Sequence, residues 1–97
     1  MPTYLLLIDW TDQGIRTFRD TVKRYDDARS RFESMGVRLT QTWWTMGNHD
    51  IVAVAEADDD EAAAAAFLAL GSQGNLRTTT LRAFSRDEME NVLRRAG

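Results

Sequence analysis

The sequence predicts an α+β domain in which two β-α-β units interleave to form one four-stranded antiparallel sheet. Three observations predict it. Strand-like and helix-like patterns alternate in the order β-α-β-β-α-β-α along 97 residues. Only residues 47–49 separate the second and third strand patterns, which is typical of a hairpin. The first and third patterns are apolar at both odd and even positions, as expected of central strands.

The first half of the chain contains one strand and one helix. Residues 3–10 are short, apolar and β-prone, which predicts the first strand. Residues 11–14 end it, and residues 15–20 are expected to form an irregular loop or a single turn. Apolar side chains recur at three- and four-residue steps from Thr21 to Met35, the spacing of an amphipathic helix. Gly36 follows where a left-handed helix cap favours glycine.

Residues 37–46 and 50–57 are predicted to pair as the antiparallel hairpin. An acidic run then opens the second helix, with Asp58 as its expected cap and Glu61 three residues on. Helix capping explains this run better than a metal site, because acids favour the positive end of a helix dipole.

An alanine-rich run continues the second helix until two closely spaced glycines end it. Residues 75–84 are predicted to form the fourth strand. Ser85 and Glu88 have the spacing of a capping box for a third helix. The complete order is that of a ferredoxin-like plait, with the first and third strands in the centre of the sheet.

A central strand that is apolar on both faces needs a cover on both. Two helices can cover one face, and the other needs the third helix, the sheet of a second copy, or both. A bare face would leave more exposed apolar area than most monomers tolerate. We therefore expect a homodimer with sheets packed face to face, a dimeric α+β barrel.

Composition narrows the possible functions. The chain, residues 1–97, is the length of one domain and carries a net charge of −3 with no cysteine. Its eleven arginines and one lysine form no basic stripe, so a nucleic-acid partner is not expected. No run of 18 apolar residues is present, so a membrane partner is not expected either, and the chain is predicted to be soluble and cytoplasmic.

Three blocks of sequence, residues 10–16, 45–50 and 74–84, resemble the GYD domain proteins, which are small, mostly prokaryotic and of poorly defined function. The resemblance extends over nearly the whole chain and implies a ferredoxin-like, dimeric α+β-barrel-type fold. This chain departs from the Gly-x-Tyr-Asp motif, because it reads Gly47-Asn48-His49-Asp50. The resemblance brings no agreed catalytic residues.

His49 is the candidate catalytic residue, since histidine alone gains or loses a proton near neutral pH. Asp50 could orient the ring or set the turn. Alternatively, Asn48 and His49 serve only as turn residues that tolerate positive φ. Asp9 interrupts an apolar strand, so it either has a cationic partner or lies in water at the strand end.

The expected partner of a buried Asp9 is Arg82 or Arg77 in the neighbouring strand. Trp10 and Trp43 could contact a ligand, although tryptophans at strand ends more often complete a core or an interface. RNA stacking is disfavoured because the third strand has no aromatic residue. The candidate ligand-binding residues are Asp9, Trp10, Trp43, Asp50 and Arg82. No metal site is expected, and the cofactor is unknown.

Three functions remain open. The first in rank is a small-molecule-binding homodimeric module with an apolar pocket. The second is a cofactor-free enzyme of the isomerase or monooxygenase type that uses His49. The third is a protein-interaction or structural module that binds a partner through its sheet.

Overall fold

The computed structural model describes residues 1–97 and contains one antiparallel sheet with the strand order β2-β3-β1-β4. The strands are β1 (Thr3–Trp10), β2 (Val37–Trp44), β3 (Ile51–Ala57) and β4 (Leu76–Ala83). The helices are α1 (Asp12–Arg16), α2 (Thr21–Ser34), α3 (Asp60–Ser72) and α4 (Arg86–Ala96), with a 3₁₀ turn at Phe18–Asp20. This is the ferredoxin-like plait, and the predicted central positions of β1 and β3 are confirmed.

One surface of the sheet, the inner face, is packed against α2 and α3. Alternate residues of β1 and β3 are buried there, and the register places Leu6 opposite Ala53. Phe32 of α2 is 1% exposed, and alanines of α3 allow that helix to approach the sheet closely. The core consists of Tyr4, Leu6, Ile8, Phe32, Val37, Ile51, Ala53, Ala55, Ala57, Ala63 and Ala66.

The opposite surface, the outer face, has an apolar centre that none of the four helices buries. Its central strands contribute only half-buried side chains, whereas Trp43 and Leu81 on the edge strands are 51% and 44% exposed. The register aligns these side chains across the four strands. The apolar members of the outer face are Leu5, Leu7, Trp43, Val52, Val54 and Leu81.

The connection from β1 to α2 is more regular than the sequence predicts. Residues 15–20, expected to form an irregular loop or a single turn, contain the end of α1 and the 3₁₀ turn, so the irregular loop is wrong and the turn is the nearer expectation. The Thr11 hydroxyl caps α1 by accepting from the Gly14 amide at 3.0 Å. A side chain at Gly14 would clash with the Asn75 carbonyl, since its Cβ would lie 2.0 Å from that oxygen.

Several predicted boundaries move by one or two residues. The hairpin strands stop at Trp44 and start at Ile51, so the turn is the longer segment Thr45–Asp50. The cap of α3 is Asp59 and not Asp58, because the Asp59 carboxylate accepts from the Ala62 amide at 2.8 Å.

The last helix, α4, projects from the end of β4. Its capping box between Ser85 and Glu88 is present as predicted, but none of its residues is buried. The molecule is 50 Å long, and its Cα radius of gyration of 14.5 Å exceeds the value of about 12.5 Å expected for a compact chain of this length. The helix predicted from the sequence to be the third, α4 in the structure, therefore does not cover the outer face of its own sheet.

Tyr4 joins β1 to the start of α3, because its hydroxyl donates a hydrogen bond to the Asp60 carboxylate. Burial and this hydrogen bond raise the pKa of Tyr4 to about 12. A raised pKa means that folding favours the neutral phenol. Its contribution is complete below about pH 10, the pKa of an unperturbed tyrosine, and is lost as pH rises from there towards 12.

We predict that Tyr4→Phe makes the free energy of unfolding less dependent on pH between about 10 and 12. Denaturant titrations across this range measure it. Tyr25→Phe, which removes the other phenol of the chain, is the control and should retain the native dependence. Equal slopes for native protein and Tyr4→Phe would contradict the assignment.

Candidate functional site

His49 and Asp9 meet at one end of the outer face. His49 lies in the hairpin turn and Asp9 near the end of β1, and His49 Nδ1 is 3.1 Å from Asp9 Oδ1. The two side chains are 35% and 40% exposed, so water reaches both. The geometry resembles the orienting contact of an acid–base pair, in which a carboxylate selects the position of the imidazole ring.

Asp50 holds the hairpin turn against β1. Its carboxylate accepts from the Trp10 amide at 2.9 Å, and its own amide donates to the Ile8 carbonyl at 2.9 Å. Asp50 therefore holds the turn in place, whereas Asp9 contacts the ring of His49. Asn48 and His49 do lie in the turn between β2 and β3, but neither has a positive φ, because only glycines do.

The three tryptophans have different environments. Trp43 lies on the outer face beside Val52. Trp44 lies on the α2 side, where it packs edge-on against Tyr25 with ring centroids 5.5 Å apart and donates to the Thr21 hydroxyl. Trp10 is half-buried, and its Nε1 is buried without a hydrogen-bond partner. Only Trp43 presents a ring to an incoming molecule on the outer face.

Arg82 does not join the other candidate residues. In the β1–β4 register it lies opposite Tyr4, whereas Asp9 lies opposite Arg77, five residues away along β4. That separation is roughly 16 Å at the usual rise of a strand. Arg82 therefore does not pair with Asp9, and the side-chain contact of Asp9 is with His49 and not with Arg77. Sequence reasoning missed this contact because it spans 40 residues. The other expectation for Asp9, that it lies in water at the strand end, agrees with its 40% exposure.

The sequence predicts an apolar pocket without its lining residues, and the structure has three hollows on the inner side of the sheet. A cavity of about 50 Å³ lies between α2 and the sheet, and the Thr42 hydroxyl at its wall has no hydrogen-bond partner. Two open hollows of about 420 and 590 Å³ lie end to end between α3 and β4. None of them is lined by His49 or Asp9. Their walls belong to elements far apart in the sequence, so no local pattern indicates them.

No three histidine, aspartate or glutamate side chains converge closely enough to hold a metal ion. None of the helices combines the length and the apolar character needed to cross a membrane.

The model of the GYD domain matches residues 4–93, almost the entire sheet-and-helix unit. The chain belongs to the GYD domain family. A relative from Thermus thermophilus, described as a glutamine synthetase and cystathionine beta-lyase binding protein, is 36% identical over 84 residues. The alignment covers 86% of this chain and 88% of the relative.

Solved structures confirm the fold of this GYD domain. A crystal structure of a Thermus thermophilus protein has a TM-score of 0.57 at 21% identity. A dimeric ferredoxin-like protein from an uncultured marine organism has a TM-score of 0.54 at 14% identity. Each comparison covers 88% of this chain and 95% of the other. At these identities the likeness shows the fold alone.

We predict that Asp50→Ala destabilises the domain by about 1–3 kcal/mol, because it leaves the Trp10 amide without its acceptor. Asp50→Asn keeps an oxygen at this position and should cost less. Denaturant unfolding of both variants measures the difference. Equal losses for the two, or none for Asp50→Ala, would show that this hydrogen bond does not hold the turn.

Proposed function

We propose that this GYD domain protein is a homodimeric protein-interaction module whose outer sheet face binds a second copy. One observation carries the proposal: the outer face has apolar side chains on all four strands, and no helix of the chain buries its apolar centre. In water, such a surface favours association, because burying it removes apolar area from solvent.

The arrangement of polar groups on the outer face supports an interface. Leu5, Leu7, Val52 and Val54 form a neutral centre on the two inner strands. At one end of the face Arg38 pairs with Glu56 at 3.3 Å, and at the other end His49 pairs with Asp9. An apolar centre with a polar rim is the usual anatomy of a protein–protein interface. Two such faces related by a two-fold axis would pack as sheet on sheet.

The relative's description supports the second part of the proposal, namely that the dimer binds other proteins. That relative is described as binding glutamine synthetase and cystathionine beta-lyase. The identity of 36% over most of both chains makes enzymes of these two kinds the first partners to test. A cytoplasmic location is part of this proposal.

A small-molecule-binding function, ranked first from the sequence, stays a prediction and becomes the second candidate. The observation in its favour is the apolar cavity between α2 and the sheet, with the unpartnered Thr42 hydroxyl. Its volume of about 50 Å³ is small beside the roughly 300–1,000 Å³ of typical ligand pockets. The enzyme hypothesis ranks third, because no hollow adjoins the His49–Asp9 pair.

We predict that Trp43→Glu combined with Leu81→Glu weakens self-association on the order of tenfold or more, since each change would bury an unpaired charge in the interface. Light scattering across a concentration series measures the effect. Both side chains are largely exposed, so the fold should survive the changes. The control is Val22→Glu, on the exposed side of α2 (58% exposed). If the double variant and Val22→Glu had equal masses, the outer face would not be the interface.

We further predict that the purified protein binds purified glutamine synthetase or cystathionine beta-lyase from the same organism. Biolayer interferometry with immobilised protein measures the dissociation constant, with an unrelated enzyme of similar charge as the control. No binding to either enzyme at tens of micromolar would contradict the partner assignment while leaving the homodimer unaffected.

A further inference from the structure

We infer that α4 of one copy docks into the groove between α3 and β4 of a second copy. This inference goes beyond the proposed function, and it does not require that the outer face be an interface. It rests on three properties of the chain: a helix with an exposed apolar side, an open groove with an apolar wall, and opposite charges at their ends.

The helix with an exposed apolar side is α4. Met89, Val92, Leu93 and Ala96 recur at three- and four-residue steps and therefore lie on one side of the helix. The side chains of Met89, Val92 and Leu93 are 44%, 38% and 58% exposed. A short helix with a polar and an apolar side is stabilised mainly by packing of its apolar side. Nothing in the same chain supplies that packing.

The open groove is formed by the two hollows between α3 and β4, which share part of their lining. Phe67 and Leu68 form its apolar wall, and Thr78 and Thr80 form its floor. Leu68 is 74% exposed, although it lies in the middle of a helix that packs on the sheet. The groove is as long as α3, about 20 Å, and α4 is about 16 Å long. An α4 helix therefore fits along it.

Charge fixes the direction in which α4 would lie. The groove starts beside the acidic run 58–61, whose carboxylates outnumber the nearby guanidinium of Arg82, and it ends beside Arg77. The first turn of α4 carries two acids, Asp87 and Glu88, and one cation, Arg86, whereas its last turn carries Arg94 and Arg95. The favourable direction thus places the last turn of α4 beside the acidic run of α3 and its first turn beside Arg77.

The same chain cannot supply α4 in that direction. β4 ends beside the start of α3, because Ala83 lies opposite Thr3 while neighbouring Tyr4 bonds to Asp60. Only Phe84 and Ser85 connect β4 to α4. A helix folded back into its own groove would therefore start at the acidic end and finish at the basic end. A second copy is free of this connection and can enter in the opposite direction.

Contacts at its start hold α4 away from its own groove. The Arg82 guanidinium lies 4.6 Å from the centroid of the Phe84 ring, and it is 3.9 Å from the Glu88 carboxylate. Arg82 also lies over the ring of Tyr4. These contacts fix the first turn of α4 at the end of the sheet, so that the rest of the helix extends outward as an arm.

The absence of cysteine gives a clean background for cross-linking. We would mix the variant Leu68→Cys with the variant Val92→Cys, oxidise the mixture mildly, and quantify disulfide-linked heterodimer by mass spectrometry. In this design a bond between positions 68 and 92 can form only between two copies. We expect the 68–92 bond to form at least several times faster than a bond between Leu68→Cys and the control variant Val22→Cys.

A rate for the 68–92 pair no higher than that for the 68–22 control would overturn the inference. A double variant, Leu68→Cys with Val92→Cys, that forms only bonds within one chain at high protein concentration would also overturn the inference. Reversing charge with Arg94→Glu and Arg95→Glu should slow the 68–92 bond. If this cross-link fails while light scattering still shows a dimer, the outer-face interface survives and the docking of α4 does not.

Discussion

The structure depends on one constraint: β1 and β3 are apolar on both faces, so two surfaces must be removed from water. The chain supplies a cover for only one of them. Phe32 and the alanines of α3 close the inner face, while Trp43 and Leu81 leave the outer face open. An apolar outer face on a domain of this size favours self-association, and this is the basis of the proposed function.

The same central strand connects the core to the candidate site. β1 places Ile8 in the core and presents Asp9, which contacts His49, at the end of the outer face. Its Trp10 amide donates to the Asp50 carboxylate of the turn that carries His49. Because Asp50 fastens that turn, the His49–Asp9 pair has a defined place at the rim of the apolar surface. Its position suits a contact that recognises a second protein surface, since both groups remain open to water.

Local patterns predicted the elements well, and long-range contacts were harder to predict. The bounds of β1 and the capping box of Ser85 and Glu88 follow from apolar spacing and helix-end chemistry, which act over a few residues. The α1 helix was missed because the close approach of Gly14 to Asn75 joins residues 61 positions apart. The contact of His49 with Asp9 and the outward direction of α4 also depend on register and packing. So does the distance between Asp9 and Arg82, which the sequence offers as a possible pair.

Sedimentation equilibrium of the native protein is the sharpest test of the homodimer, because it measures the mass in solution without any variant. We expect a mass twice that of the 11.0 kDa chain at micromolar concentration. A mass equal to that of the single chain over the same range would show that the outer face is stable in water, and would contradict both the homodimer and the interaction function built on it.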